Sequence, residues 1–277
     1  MAEIWPVTNA QYHADNSKLG STMLRTALRS LGEYRRRYVD APPMPWEQTA
    51  SQLLGSVVHT LVLEPEHFDD LYAVRPDGID GRTTDGKKRL AEWRLASLGK
   101  TELTPEVRDQ ARAMAASVLA EIVVREAMDG AIRERAIVWE EDDLIFKCKP
   151  DLFLPRTTGS DLILDLKTAS DPSPECWGSP GSFSPIRRYR YDLQGAHYWQ
   201  GMMQFTGRDC AFGLIVVGSE DPYEVYTYDL SEWLGVGLRA RQQAIELIKS
   251  GPTNGWRRPL QNQIVTLSPM RWDLQEE

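Results

Sequence analysis

Cysteine is scarce in this chain of 277 residues, which contains only Cys148, Cys176 and Cys210. The three are far apart and no CxxC or CxxH spacing occurs, so the pattern argues against a structural zinc site and against a four-cysteine iron–sulfur cluster. An odd number of cysteines also cannot form a complete disulfide framework. We expect a reduced protein without an iron–sulfur cluster, because a chain of this length buries a core without such cross-links.

Long apolar runs are also missing. No run approaches the roughly 18 residues needed to cross a bilayer, and the first residues lack the basic and apolar segments of a secretory signal. The sequence also has no glycine-rich phosphate-binding loop and no nucleophile elbow, which leaves unrelated enzyme chemistry without support. We therefore expect a soluble, cytoplasmic protein with no membrane partner.

Positive charge is in deficit, with 32 Lys and Arg against 40 Asp and Glu and a net charge of -8. This balance argues against a uniformly basic surface for binding a duplex, although a local basic channel remains compatible with it. Basic residues cluster at 35–37, 87–89 and 187–190. Such a run is most simply a solvated face, but Arg187, Arg188 and Arg190 are also candidates for contacts with nucleic-acid phosphate.

The apolar pattern predicts a mixed α/β core with a helical N-terminal part. Helices are predicted at 21–39 (capped by Ser21), 47–63, 87–99, 104–128, 191–205 and 231–249 (closed by Gly251-Pro252), and strands at 135–140, 144–154, 161–168, 211–217 and 224–228. Residues 8–20, 76–86 and 170–186 are predicted to be loops. We expect one domain over 1–277, with a helical part at 1–130, a sheet core at 131–250 and an irregular tail at 251–277.

The residues best suited to chemistry lie on two successive predicted strands. Asp151 ends one strand, and Asp165 and Lys167 share a face of the next because they are two residues apart. Two carboxylates can bind Mg²⁺, which polarises a phosphoryl oxygen and lowers the pKa of a bound water, while a lysine orients that water. A lone DxK is most simply a surface salt bridge, but Leu164 and Leu166 bury this strand, which makes idle charges costly.

Ordered motifs surround these residues. Pro150-Asp151, followed 14 residues after the aspartate by Asp165-Leu166-Lys167, resembles the motif of the PD-(D/E)xK nucleases. Gly55–His59 resembles the GxxxH segment of the RecB-like branch of that superfamily, and Gln194–Tyr198 resembles its QxxxY motif, with both side chains on one helical face. The closer resemblance is to the RecE-type exonucleases (exonuclease VIII) of phages and prophages, which Tyr12-His13 and Leu61–Pro65 also match.

This resemblance implies a restriction-endonuclease-like α/β core and a Mg²⁺-dependent exodeoxyribonuclease, in which Mn²⁺ can substitute. It implies digestion of linear double-stranded DNA from an end, 5′ to 3′, producing a 3′ single strand for a RecT-type annealing protein. It also implies a homo-oligomer, such as a ring-shaped tetramer, in the cytoplasm of a bacterial host.

The resemblance also assigns roles within the site. The implied metal ligands are His59, Asp151, Asp165 and the backbone carbonyl of Leu166. Lys167 would position the attacking water. The implied role of Gln194 and Tyr198 is to contact DNA phosphate or to brace the lysine.

Two alternatives stay open. The first is a Cas4-like or repair nuclease, or an endonuclease, of the same superfamily; the missing four-cysteine cluster counts against members that carry one. The second is a non-catalytic protein that binds DNA ends, against which the intact set of motif residues counts. Glu140 belongs to an acidic turn that we expect to be solvated, and His197 does not occupy a motif position.

Overall fold

The structure is a computed structural model, which describes residues 2–40 and 48–257. Its helices are α1 (Asn9–Ala14), α2 (Ser21–Arg29), α3 (Leu31–Tyr38), α4 (Ala50–Leu63), α5 (Phe68–Leu71), α6 (Thr84–Ala96), α7 (Pro105–Ala120), α8 (Ile122–Met128), α9 (Pro174–Trp177), α10 (Pro185–Tyr189), α11 (Tyr191–Thr206) and α12 (Leu234–Asn254). Its strands are β1 (Glu3–Ile4), β2 (Tyr72–Val74), β3 (Thr101–Leu103), β4 (Ile132–Arg133), β5 (Ile137–Glu141), β6 (Leu144–Cys148), β7 (Leu152–Leu154), β8 (Asp161–Ala169), β9 (Cys210–Gly218) and β10 (Val225–Asp229).

A mixed central sheet organises the molecule. Its strand order is β10-β9-β8-β7-β4, in which only β8 and β9 run parallel, joined by a crossover that contains α11. A smaller antiparallel sheet has the order β1-β5-β6, and β2 pairs with β3 in parallel. The near-continuous apolar run of β8 follows from its central place, with helices packed over both faces of the sheet.

Apolar side chains pack on both faces of the central sheet. Along β9, Leu214 and Val216 belong to the cluster formed with α2, α11, α12 and the smaller sheet. Their neighbours Ile215 and Val217 belong to the cluster formed with α4, α7 and α8. The alternation follows from the two-residue period of a strand. As a result, each face of the central sheet packs against a different hydrophobic core.

Two predicted helices are each broken in two. The helix predicted at 21–39 breaks at Ser30, whose backbone is extended and whose side chain accepts a hydrogen bond from the backbone of Glu33. Ser21 is the first helical residue rather than the cap, and Gly20 takes the cap position. The helix predicted at 104–128 begins as expected but breaks at Glu121, which is also extended. The apolar pattern runs across both breaks and therefore could not mark them.

Helix ends also differ from prediction. Thr49 and Gln52 form a capping box at the start of α4, and the predicted start at residue 47 lies outside the described residues. Helix α12 continues through Pro252 and ends at Gly255, which has a φ of 66°. Proline lacks the N–H that would bond to the carbonyl of Ile248, and the helix ends within one turn of it. The predicted irregular tail thus begins as helix, and its residues 258–277 lie outside the described part.

The strand predicted at 144–154 is two strands that belong to different sheets. Strand β6 lies in the smaller sheet and β7 in the central one, with Lys149-Pro150-Asp151 between them. The turn predicted between β5 and β6 is confirmed: Asp142 and Asp143 have φ of 52° and 62°, as a tight hairpin turn requires. Short elements such as α1, β1 to β4, α9 and α10 were not predicted. No helix in the described residues is long and apolar enough to cross a membrane.

Candidate active site

Three carboxylates lie at one level across three adjacent strands of the central sheet. The last residue of β4 pairs with Leu152 of β7, which in turn pairs with Leu164 of β8. One step along each strand places Glu134 beside Asp151, and the Glu134 N–H donates to the Asp151 carbonyl at 3.1 Å. The same step places Asp165 on the other side of Asp151. Strand register therefore gathers acidic side chains that are far apart in sequence.

Asp151 is held from two directions. The backbone N–H of Leu166 donates to its Oδ2 at 2.7 Å. The Nδ1 atom of His59 lies 3.5 Å from the same oxygen. The side chain is buried, so its orientation is fixed by these contacts.

Helix α4 presents His59 to this sheet edge because Gly55 allows a close approach. A Cβ at Gly55 would lie 3.1 Å from Oγ1 of Thr168. One helical turn later, Nε2 of His59 lies 2.7 Å from the Leu166 carbonyl oxygen. A carbonyl only accepts, so Nε2 carries the proton and Nδ1 of the neutral ring is left with a lone pair toward Asp151. This packing explains the four-residue spacing of the GxxxH segment.

Lys167 belongs to a network that runs into α11. Its ammonium forms an ion pair with Oδ2 of Asp165. The side-chain amide of Gln194 donates to Oδ1 of Asp165 at 2.8 Å and lies 3.1 Å from the Tyr198 hydroxyl. Gln194 and Tyr198 thus fix the carboxylate that holds the lysine, rather than the lysine itself. The ring of Tyr191 lies 5.3 Å from the Lys167 ammonium.

Burial and mutual repulsion perturb the acids. Burial, and then the charge of Asp165, raise the pKa of Asp151 to about 7. Burial, and then the charge of Asp151, raise the pKa of Glu134 to about 7. Burial opposes charge on Lys167 as well, but Asp165, Tyr191 and Asp151 together outweigh it, and the pKa of the lysine rises. Burial and the Lys167 ammonium lower the pKa of His59, which keeps the imidazole neutral near pH 7.

This donor set suits a hard divalent cation. Among the described residues, one ligand atom each from His59, Glu134 and Asp151 lie within 4.8 Å of one another. A bound cation would offset the burial and mutual repulsion that raise the pKa values of Asp151 and Glu134, and the Nδ1 lone pair of His59 lies 3.5 Å from a carboxylate oxygen of Asp151. Carboxylate oxygens and a neutral imidazole are ligands of such ions. The residues therefore fit the metal that the motif implies.

The predicted catalytic and metal-binding residues meet in this one place, whereas the predicted DNA-binding arginines do not. His59, Asp151, Asp165, Lys167, Gln194 and Tyr198 form a connected cluster, and the Leu166 carbonyl lies within it, bound by the imidazole. The predicted ligand set differs from the geometric cluster, because Asp165 is engaged by the lysine and the glutamine. The assignment of ligands stays a prediction.

The arginine cluster lies at the entry to α11 and does not join this network. Arg190, in a left-handed conformation, forms a two-pronged ion pair with Asp192 at 3.0 and 2.9 Å. Arg187 and Arg188 are exposed on α10. Two of the three predicted phosphate contacts therefore present their charge to solvent, while the third is engaged within the protein.

Glu134 was missed by sequence reasoning. Its carboxylate forms an ion pair with Lys149, and its backbone has a φ of 49°. Only the register of the two-residue strand β4 brings it to the site, and so short a strand leaves no periodic signal. Glu140, which we expected to be solvated, is exposed. His197 is buried and hydrogen-bonds the Lys147 carbonyl at 2.8 Å, outside the site.

Comparison with known proteins identifies the family to which this chain belongs. A family model described as a PDDEXK-like domain of unknown function (DUF3799) matches residues 26–255. The chain belongs to this family. The predicted membership of the PD-(D/E)xK superfamily and the predicted mixed α/β fold are thereby confirmed, while the narrower RecE-type assignment stays a prediction.

Solved structures add to the description of this PDDEXK-like domain. A crystal structure from Eubacterium rectale, described as a putative exonuclease, matches with a TM-score of 0.66, covers 98% of both chains and shares 18% sequence identity. At that identity the likeness shows a shared fold. A second solved structure covers 69% of this chain with a TM-score of 0.31, which is too low to indicate a shared fold. No protein of curated function matches the chain.

Proposed function

We propose that this protein is a divalent-metal-dependent nuclease that hydrolyses phosphodiester bonds of linear double-stranded DNA from an end. The observation that supports it best is the convergence of Glu134, Asp151, Asp165 and His59 beside the cationic side chain of Lys167. A buried group of acids next to a fixed ammonium has little structural use, because unneutralised buried charges destabilise a fold. The arrangement does suit the hydrolysis of an anionic ester.

The residues divide the chemistry between them. Mg²⁺, or Mn²⁺ in its place, would be held by His59, Asp151 and Glu134 or Asp165, and supplies Lewis-acid activation of water and of the phosphoryl group. Lys167 positions the attacking water and offsets the negative charge that develops on the phosphate. Asp165 aims the lysine.

Gln194 and Tyr198 keep this lysine–aspartate pair in place. The glutamine amide occupies the second oxygen of Asp165 and lies against the tyrosine hydroxyl. The direction of Lys167 therefore does not depend on substrate binding.

The finer features of the proposal come from the motif resemblance. They are digestion from 5′ to 3′, production of a 3′ single strand for a RecT-type annealing protein, and a homo-oligomer such as a ring-shaped tetramer in a bacterial cytoplasm. A ring would concentrate exposed basic residues on one lumen, which would reconcile DNA binding with a net charge of -8. Light scattering of the purified protein tests the oligomeric state.

The test is digestion of linear duplex DNA labelled at the 5′ or the 3′ end, beside a closed circle, with Mg²⁺, with Mn²⁺ and with EDTA. We expect metal-dependent release of the 5′ label and an intact circle. Lys167→Ala should lower the rate by about a hundred- to a thousand-fold. The matched control is Lys249→Ala, which removes a surface ion pair of 3.6 Å with Asp142 and should retain full activity.

Each other outcome selects an alternative. Cleavage of the circle would indicate an endonuclease on the same fold. Early release of the 3′ label would reverse the proposed polarity. Tight binding of DNA ends without cleavage in either metal would contradict the catalytic proposal and favour a non-catalytic end-binding protein.

A further inference from the structure

Phe183 is the most exposed large hydrophobic side chain in the described residues, with 84% of its surface in solvent. It lies in the segment between β8, which carries Asp165 and Lys167, and α11, which carries Gln194. A phenylalanine in this position loses the free energy that burial would provide. A single exposed apolar side chain is common on protein surfaces, so the residues around Phe183 decide whether this one has a role.

The segment around Phe183 is firmly attached to the molecule. Trp177 is buried and stacks on Tyr191 with ring centroids 5.7 Å apart and planes 4° from parallel. The Ser184 hydroxyl donates to the Trp177 carbonyl at 2.7 Å, and Ile186 is buried. Residues on both sides of Phe183 are thus anchored, so its exposure does not result from loose packing of the whole segment.

The same anchor leads to the catalytic lysine. Tyr191, which stacks on Trp177, is the residue whose ring lies 5.3 Å from the Lys167 ammonium. The stacked pair of Trp177 and Tyr191 therefore connects the segment that contains Phe183 to the lysine of the proposed site.

Exposed positive charge accompanies the exposed aromatic ring. The guanidinium of Arg187 lies over the ring of Trp233 at 4.9 Å, and that of Arg188 over Tyr189 at 5.5 Å. Both arginines are exposed, and neither forms an ion pair within residues 2–40 and 48–257. Tyr189 is itself 47% exposed. Stacking fixes the arginines while leaving their charge available to an anion.

We propose that Phe183 is a stacking platform for an unpaired base at the DNA end, and that Arg187 and Arg188 hold the phosphates beside that base. Exposed aromatic rings flanked by cationic side chains are the combination that binds single-stranded nucleic acid. A base inside a duplex is already stacked, so the platform takes only bases released from pairing. The inference rests on the proposed nuclease function and adds a preference for opened ends.

The experiment compares three variants by binding and by cleavage. The probe is a duplex with a short unpaired end that carries 2-aminopurine, whose fluorescence falls when it stacks. In EDTA, Phe183→Ala should weaken binding of this probe about ten- to a hundred-fold and abolish the fluorescence loss. Phe183→Trp should retain both. Leu98→Ala removes another side chain that is 75% exposed, in the turn after α6, and should change neither.

Cleavage separates this inference from the proposed function. With Mg²⁺, Phe183→Ala should cut forked ends more slowly than the wild type does, in line with its weaker binding, and should therefore lose the preference of the wild type for a forked over a fully paired end. If Phe183→Ala binds, quenches and cuts as the wild type does, the platform is wrong while the nuclease proposal stands. If the wild type neither binds nor cuts any DNA, both are wrong. Because Phe183 is exposed, its loss should leave the melting temperature unchanged.

Discussion

Asp151 lies between two other carboxylates, accepts a backbone hydrogen bond and faces an imidazole lone pair. These contacts fix its position but supply no full positive charge at hydrogen-bond distance. Its ionised form is therefore costly in the metal-free protein, which is the physical reason for its raised pKa. The same residue that prepares the site for a cation weakens the fold when the cation is absent.

The first prediction concerns the pH dependence of stability without metal. The pKa of Asp151 rises from about 3.9 in the unfolded chain to about 7 in the folded one. A raised pKa stabilises the fold below the unfolded value, and that contribution is lost as pH rises toward 7, by roughly 1.4 kcal/mol per pH unit. In EDTA, Asp151→Asn should therefore be more stable than the wild type at pH 8 and similar to it at pH 4.

Urea unfolding at several pH values measures this difference. The pKa of Glu134 is raised in the same direction, whereas the lowered pKa of His59 acts in the opposite direction below about pH 6.5. Because the charge of Asp151 helps raise the pKa of Glu134, Asp151→Asn also relieves that acid, and both effects favour the variant at pH 8. Parallel stability curves for the two proteins would contradict the prediction.

The second prediction concerns Glu134. If it is a metal ligand, Glu134→Gln should weaken Mn²⁺ binding about ten- to a hundred-fold, because it removes one negative charge and one good oxygen donor. Glu140→Gln makes the same chemical change at an exposed position a few residues away and should have no effect. Calorimetric titration with Mn²⁺ gives both affinities without depending on activity. Equal affinities would remove Glu134 from the ligand set.

At the scale of single residues, the sequence predicted the site residues that lie in motifs and missed Glu134, which lies in none. Asp151, Asp165 and Lys167 were predicted because strand periodicity and motif spacing both constrain them. Glu134 reaches the site through the pairing of β4 with β7, and pairing between distant strands is not visible in local sequence. The role of Gln194 as a brace for Asp165 likewise depends on how α11 packs across the sheet.

At the scale of elements, α11 and α12 approach so closely that a side chain cannot fit between them at one point. A Cβ at Gly237 would lie 1.9 Å from the backbone carbonyl oxygen of Asp192. Gly235, two residues earlier on the same helix, has no neighbour closer than 3.9 Å. The two glycines therefore provide a matched pair for testing this contact.

The third prediction follows from that pair. Gly237→Ala should destabilise the protein by about 1–3 kcal/mol or more, because α12 must move away from α11. Gly235→Ala should stabilise it by about 0.5–1 kcal/mol, since alanine favours the helix and meets no obstacle. Urea unfolding measures both. The same sign for both variants would mean that the helices are not held at this distance.

Long elements with a clear period were predictable, and their interruptions were not. The prediction placed α11, β8 and β9 to within a residue or two, because a buried run or a helical face of that length leaves few alternatives. The breaks at Ser30 and Glu121 occur where the apolar pattern continues, so only tertiary packing decides them. The change of sheet between β6 and β7 has the same origin.

On the scale of the whole molecule, both apolar clusters share the strands β8 and β9. Leu164 and Leu166 face one cluster, while Ile163 and Leu214 face the other. Neither side can lose its structure without exposing the sheet that supports the other. This sharing favours the predicted single domain over two independent ones.

The fourth prediction is that the protein unfolds in one cooperative step. Calorimetry should give a single transition, and near-ultraviolet circular dichroism should change at the same temperature as the heat signal. Ile215→Ala removes a buried side chain from one cluster, and it should lower the temperature of the whole transition rather than split it in two. Two separable transitions would show that the helical part around α4 and α7 folds independently.

The central position of β8 also determines when activity can first exist. Its parallel partner β9 and the helix that carries Gln194 and Tyr198 both follow it in the chain. Parallel pairing requires the crossover to be complete, so the nascent chain lacks β9 and the brace on Asp165 until the residues up to Gly218 have left the ribosome. If the site cuts DNA as proposed, chains that end before α11 should therefore lack this activity.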